Sequence, residues 1–161
     1  MSVVAPQRKL TMTLLMTPDK ANFSGKVHGG AILKMLDEVA YACASRWAGR
    51  YVVTVSVDRV RFLEPIHVGE LVTFLASVNF TGRTSMEVGI RVVAESVPAS
   101  VERHAMTCYF TMVAVDDDGH PVEVPQFVPE GDEDTIRFKA AQLRRELRKE
   151  VDRRHDEIRK R

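Results

Sequence analysis

Asp37 is the side chain in this sequence best placed for chemistry, because of the company it keeps. In Leu33-Lys34-Met35-Leu36-Asp37-Glu38-Val39-Ala40-Tyr41 its helical neighbours at i−4, i+3 and i+4 are Leu33, Ala40 and Tyr41, so a carboxylate interrupts an apolar stripe. Glu38, one residue on, has Lys34 at i−4 and reads as half of a solvated ion pair. A carboxylate among apolar neighbours is costly to ionise, and its proton affinity moves towards that of a general base. The same pattern suits a carboxylate held by a fixed partner at a subunit interface. Gly29 and Gly30 open the helix, where unpaired backbone N–H groups and the positive end of the dipole favour an anion. A tight loop-to-helix entry is the steric alternative. His28 adds an imidazole at that entry, a place equally suited to capping or packing. Asn22, in Ala21-Asn22-Phe23-Ser24-Gly25, is by type an ordinary turn former.

Other chemistries find little support. No cluster of His, Cys and carboxylates has metal-ligand spacing, and there is neither a Gly-x-Ser-x-Gly elbow nor a glycine-rich phosphate loop. A metal hydrolase and a serine esterase are therefore not expected. Cys43 and Cys108 each lie in an apolar run and read as two buried thiols. No signal-peptide pattern opens the chain, and Lys34, Asp37 and Glu38 break the best candidate for a membrane span, so a cytoplasmic address is expected.

The elements that would position these residues follow from periodicity. Leu10 to Met16 reads as a first strand, ended by Thr17-Pro18-Asp19. Lys20 to His28 is a loop. Ile32, Leu36, Val39, Cys43 and Trp47 then recur at helical spacing up to Gly49, and a helix so apolar should be buried nearly all round. Val53, Val55 and Val57 alternate, after which the phase slips to Val60 and Phe62, predicting a bulge at Asp58-Arg59. Val72 to Phe80 and Met86 to Ala94 alternate about Thr81-Gly82-Arg83 and form a hairpin; Met106 to Ala114 is the last strand, closed by Asp116-Asp117-Asp118-Gly119. Strand, buried helix, then four strands is an α+β order: an antiparallel sheet wrapped around a long central helix, the hotdog architecture. Its open edges predict at least a dimer.

The charge is uneven. Residues 139–161 carry 10 Lys+Arg against 5 Asp+Glu, although the whole chain has a formal net charge of only +1. Residues 1–130 are read as the fold proper and residues 131–161 as a basic helical extension. That helix is expected from Asp132 to Arg161, outside the hotdog core and not needed for the chemical step. Leu143, Leu147 and Val151 give it a narrow stripe for docking on a sheet or on a neighbouring subunit, and its surplus positive charge is expected to face solvent or a ligand's phosphates. The interleaved acids and missing aromatic platforms argue against nucleic acid.

The run from Met16 to Glu38, Met-Thr-Pro-Asp-Lys-Ala-Asn-Phe-Ser-Gly-Lys-Val-His-Gly-Gly-Ala-Ile-Leu-Lys-Met-Leu-Asp-Glu, resembles the signature of hotdog acyl-CoA thioesterases of the brain acyl-CoA hydrolase type. The resemblance continues through Val55-Ser56-Val57-Asp58, Phe62, Pro65, Gly69, Thr84-Ser85-Met86 and Val124-Pro125-Gln126. It implies release of free fatty acid and coenzyme A at a dimer interface, where Asn22 of one subunit faces Asp37 of the other. Asp37 would act as base or nucleophile, the Gly30 amide would polarise the carbonyl, and Asn22 would orient water or the thioester. No cofactor is implied, since coenzyme A is part of the substrate; Arg61, Arg83, Thr84 and Ser85 are the candidates for binding it. The implied assembly is a homo-oligomer, a hexamer of three dimers. Two rival readings share the fold: a non-hydrolytic acyl-CoA-binding protein, which would not need Asp37, and a dehydratase, which would need a His that the helix lacks.

Overall fold

The structure, a computed structural model, describes residues 5–160. Strand β1 (Lys9–Leu15) precedes helix α1 (Gly29–Ala48), and strands β2 (Val52–Asp58), β3 (Leu71–Thr81), β4 (Ser85–Ser96) and β5 (Val101–Ala114) follow, with helix α2 (Gly131–Arg159) last. All strand pairs are antiparallel and the sheet order is β1-β3-β4-β5-β2. This is the α+β arrangement expected of the alternation.

Register explains the core. Met12 pairs with Phe74, Phe74 with Val92 and Val92 with Met106, so one rank of apolar side chains crosses four strands on the same face. Ile32, Leu36, Val39, Ala40, Cys43 and Ala44 of α1 are buried within the same cluster. Each fully buried side chain the size of Phe74 or Leu36 contributes about 1.5–3 kcal/mol of transfer free energy. Helix α1 stops at Gly49, whose φ of 68° places it in the left-handed region, and its N–H bonds the Ser45 carbonyl at 2.8 Å.

Three expectations need correcting. The helix α1 is not buried all round by its own chain: Leu33 and Tyr41, on the face of Asp37, are 39% and 41% exposed. Strand β2 ends at Asp58, and its bulge lies between Thr54 and Ser56, not at Asp58-Arg59; Val60 and Phe62 belong to an unpaired segment. The physical reason is that Asp58 is held by Arg148 of α2, while the Leu63 N–H turns to the Ala105 carbonyl at 3.0 Å.

The third concerns the tail. Helix α2 runs close to its expected bounds, with Arg161 outside the described residues, but it docks by its arginine face. Arg144 grips buried Glu87 with both nitrogens, at 2.6 and 3.1 Å, and lies 3.5 Å from the Tyr109 ring centroid, while Arg148 reaches Asp58. Phe138 packs on Phe80 and Phe127, and Phe127 meets Trp47 edge-on. The stripe of Leu143, Leu147 and Val151 is left exposed. Two carboxylates and an aromatic ring on the outer sheet face bind guanidinium groups better than they bind leucine.

Candidate active site

The Asn22 loop is a tight turn built by its own side chain. Asn22 Oδ1 accepts from the Ser24 N–H at 2.9 Å, the Ser24 hydroxyl at 2.8 Å and the Lys26 N–H at 3.1 Å. Two of these donors are backbone groups that cannot accept, so the carbonyl end must be the bound end and the NH2 is the end left for a ligand. Asn22 is thus a donor to whatever enters.

His28 is the N-cap of α1: its Nδ1 accepts from the Gly30 N–H at 2.9 Å. The Gly30 amide, expected to polarise a carbonyl, already has this partner, and a substrate oxygen would have to displace the imidazole. A Cβ on Gly30 would sit 3.1 Å from that Nδ1, and one on Gly29 would sit 3.3 Å from the Phe62 ring. Both glycines are therefore explained by close approach of a neighbouring ring.

A groove of about 330 Å³ lies here, lined by Asn22, Lys26, Gly29, Ile32, Phe62 and the Leu63–Ile66 stretch. Asp37 is not part of it. Gly30 and Asp37 are seven positions apart on α1, about 10 Å at the helical rise. Asp37 instead meets Thr54, whose hydroxyl donates to Oδ1 at 2.6 Å. Thr54 lies opposite Met112 and two residues from buried Val52, which puts it on the α1 side; the bulge that follows brings Val57, opposite Phe110, to that side as well. Asp37 is exposed in the single chain, beside Leu33 and Tyr41; Glu38 pairs with Lys34 at 3.9 Å, as its spacing predicts. Thr54 was not singled out by sequence, since a threonine in a valine-rich strand is ordinary.

The candidate coenzyme ligands are divided. Arg61 is exposed next to Phe62 at the groove. Arg83, Thr84 and Ser85 lie in the β3–β4 turn; Ser85 pairs with Val113 and Val113 with Val53, which puts the turn at the Thr54 end of the sheet. Arg83 also pairs with Glu123 at 3.7 Å. Gln126 braces this turn through the Gly82 carbonyl at 3.0 Å, and the Pro125 carbonyl takes the Trp47 N–H at 2.9 Å. A larger cavity, about 520 Å³, lies between α2 and the outer sheet face and holds none of the residues singled out for chemistry. The turn after β5 gathers Asp116, Asp118 and His120, a grouping that sequence spacing did not suggest; Asp116 Oδ1 accepts from the backbone of the other two, which accounts for it. Both cysteines are buried free thiols, pushed up to about 12 by burial.

An antiparallel sheet around one helix, with a donor loop at the helix entry and a hydrogen-bonded carboxylate at its middle, is a hotdog fold. The thioesterase superfamily model matches residues 24–100. VdlD of Helicobacter pylori is 45% identical over 144 residues, 89% of this chain and 82% of that protein. YkhA of Bacillus subtilis, described as an uncharacterized acyl-CoA thioester hydrolase, is 34% identical over 143 residues, 89% of this chain and 83% of that protein. The acyl-CoA hydrolase of Staphylococcus aureus, solved with butyryl coenzyme A and coenzyme A, superposes with a TM-score of 0.84 at 33% identity, covering 93% of this chain and 92% of that one. A hexameric acyl-CoA thioesterase gives a TM-score of 0.86 at 35% identity over 92% of this chain and 96% of that one. The chain belongs to the thioesterase superfamily, among hotdog acyl-CoA thioesterases.

Proposed function

We propose that this chain hydrolyses acyl-CoA thioesters to free fatty acid and coenzyme A, with Asp37 and Asn22 of two different subunits forming each site. The observation that carries this reading is the Thr54–Asp37 hydrogen bond at 2.6 Å, which fixes a carboxylate on an otherwise apolar, uncovered face. The S. aureus hydrolase has been solved with alanine in place of an aspartate, an asparagine and a threonine. Those three residues are separated by 15 and 17 positions, as are Asn22, Asp37 and Thr54, which supports assigning the same trio here.

Asp37 takes a proton from water, and the water oxygen attacks the thioester carbonyl. The resulting oxyanion is met by the Gly30 N–H, released by His28, at the positive end of α1, and the Asn22 NH2 orients water or thioester. The tetrahedral intermediate collapses, the C–S bond breaks, and the thiolate recovers the proton from Asp37. Arg61, Arg83, Thr84 and Ser85 are proposed to hold the coenzyme. The catalytic unit is a dimer, three of which form a hexamer, and the enzyme works in the cytoplasm. That no described helix is long and apolar enough to cross a membrane fits this address.

The test is complementation. Asn22→Ala and Asp37→Asn chains, each inactive alone in a thiol-release assay, are expected to regain activity when mixed oligomers form, because one interface recovers both residues. Mixed oligomers without activity would place the site within one chain. If Asp37→Asn turns over normally, Asp37 does no chemistry and the catalytic group lies elsewhere; if the parent itself binds acyl-CoA and releases no thiol, the chain is a non-hydrolytic acyl-CoA-binding protein.

A further inference from the structure

One wall of the groove that Asn22 lines is Phe62–Ile66, within a stretch, residues 59–66, without strand pairing or helix. Pro65 has no N–H, so at this residue the backbone can be tied down only through its carbonyl. That carbonyl accepts from Nη2 of Arg103, on β5. The same guanidinium holds Glu70 with both nitrogens, Nη1 to Oε1 at 2.7 Å and Nη2 to Oε2 at 2.8 Å. Glu70 Oε2 in turn accepts from the His67 N–H at 2.8 Å, and the Glu70 N–H bonds the His67 carbonyl at 3.2 Å. One planar cation therefore joins β5 to two points of the segment between β2 and β3, Pro65 in the wall and Glu70 just before β3. Glu70 is 6% exposed, and Arg103 is absent from the groove lining.

We infer that Arg103 and Glu70 are positioning residues for substrate binding: they hold the Pro65 wall at its distance from Asn22 without touching the substrate. Only arginine supplies a fork that binds a carboxylate in two places and has a further N–H for a carbonyl; lysine offers a point charge. A wall no longer tied to β5 loses contact with the part of the ligand that it lines and weakens binding, while the groups that react, which it does not carry, stay in place.

The inference rests on the reading that the Asn22 groove receives the thioester, and the experiment separates the two. Steady-state hydrolysis of an acyl-CoA series is measured for Arg103→Lys, Glu70→Gln and Asn22→Ala, at a temperature where circular dichroism shows each variant folded. Arg103→Lys is expected to raise KM about tenfold while kcat changes less than twofold, and Glu70→Gln, which keeps one hydrogen bond should the lysine variant fail to fold, is expected to show the same split. Unchanged KM in whichever of the two folds overturns the positioning role and reduces the clamp to a structural one. If Asn22→Ala leaves both kcat and KM at parental values, the groove is not where the thioester binds, and the function reading and this inference fall together.

Discussion

In the proposed mechanism Asp37 acts on one atom and has to keep one orientation, and the Thr54 hydroxyl, which donates to it at 2.6 Å, is the group that orients it. It occupies Oδ1 and leaves Oδ2 for the proton. Thr54→Val keeps the shape and removes the donor, so kcat should fall about tenfold to a hundredfold, with thermal stability nearly unchanged because the pair is exposed. A valine variant with parental kcat would show that Asp37 needs no such orientation. At this scale Asp37 stands out in the sequence because it breaks an apolar stripe, whereas Thr54 does not, since a threonine among strand valines is ordinary and its partner lies 17 residues away on another element. Asn22 was unremarkable by type, and only its place in a longer resembling string marked it. Glu70 carries a second prediction. Hydrogen bonds from Arg103, aided by the His67 N–H, outweigh burial and hold its carboxyl below the ordinary 4.5. A carboxylate depressed in the folded state adds stability that is full above its ordinary value and is lost as pH falls through the lowered one. Glu70→Gln should therefore be less stable than the parent at pH 7, and the gap should close as acid carries both proteins below 4.5. Urea unfolding at a series of pH values measures the difference, and a gap that persists unchanged in acid would mean that the ion pair adds nothing.

Helix α2 shows how much an element's partner decides its orientation. Its apolar stripe was read correctly from spacing, yet the helix turns that stripe outward because Glu87, Asp58 and Tyr109 offer more to its arginines. No pattern within residues 131–161 could reveal that choice, which is written in three residues of other strands. Glu87 and Arg144 are now mutually dependent: removing one leaves the other's charge partly buried and unpaired. Helix α2 makes none of the contacts of Asn22, Thr54 or Asp37, so a chain ending at Glu130 should keep kcat while it remains folded. It should also melt lower, because Phe80, Phe127 and Tyr109 lose their cover. Differential scanning calorimetry beside a turnover assay separates the two effects. Loss of kcat in a folded, assembled truncation would mean that Arg148, acting through Asp58, reaches the groove wall.

The two edges of the sheet are unlike, and the difference bears on how the whole molecule assembles. On β1 the exposed positions are Lys9, Thr11, Thr13 and Leu15, a largely polar edge. On β2 they include Val55, 61% exposed, and Val57, 44% exposed. This second edge continues without a break into α1: Tyr51 meets Tyr41 with ring centroids 5.9 Å apart, and Thr54 bonds Asp37. Phe23 and Phe62, both exposed, flank the other half of the proposed site. Unpaired backbone groups beside a row of valines make a template for another strand, and a second copy of this chain is the occupant that would also bring an Asn22 towards Asp37. Charge at this edge should therefore separate assembly from folding and abolish catalysis with it. Val57→Lys is expected to sediment as a folded monomer with no measurable thiol release, since each site would lack its partner's half. Thr13→Lys, an equal charge on the opposite edge, should leave both assembly and turnover as in the parent. A folded Val57→Lys monomer that still hydrolyses acyl-CoA would show that one chain contains a complete site, and the pairing of Asn22 with Asp37 across subunits would have to be abandoned.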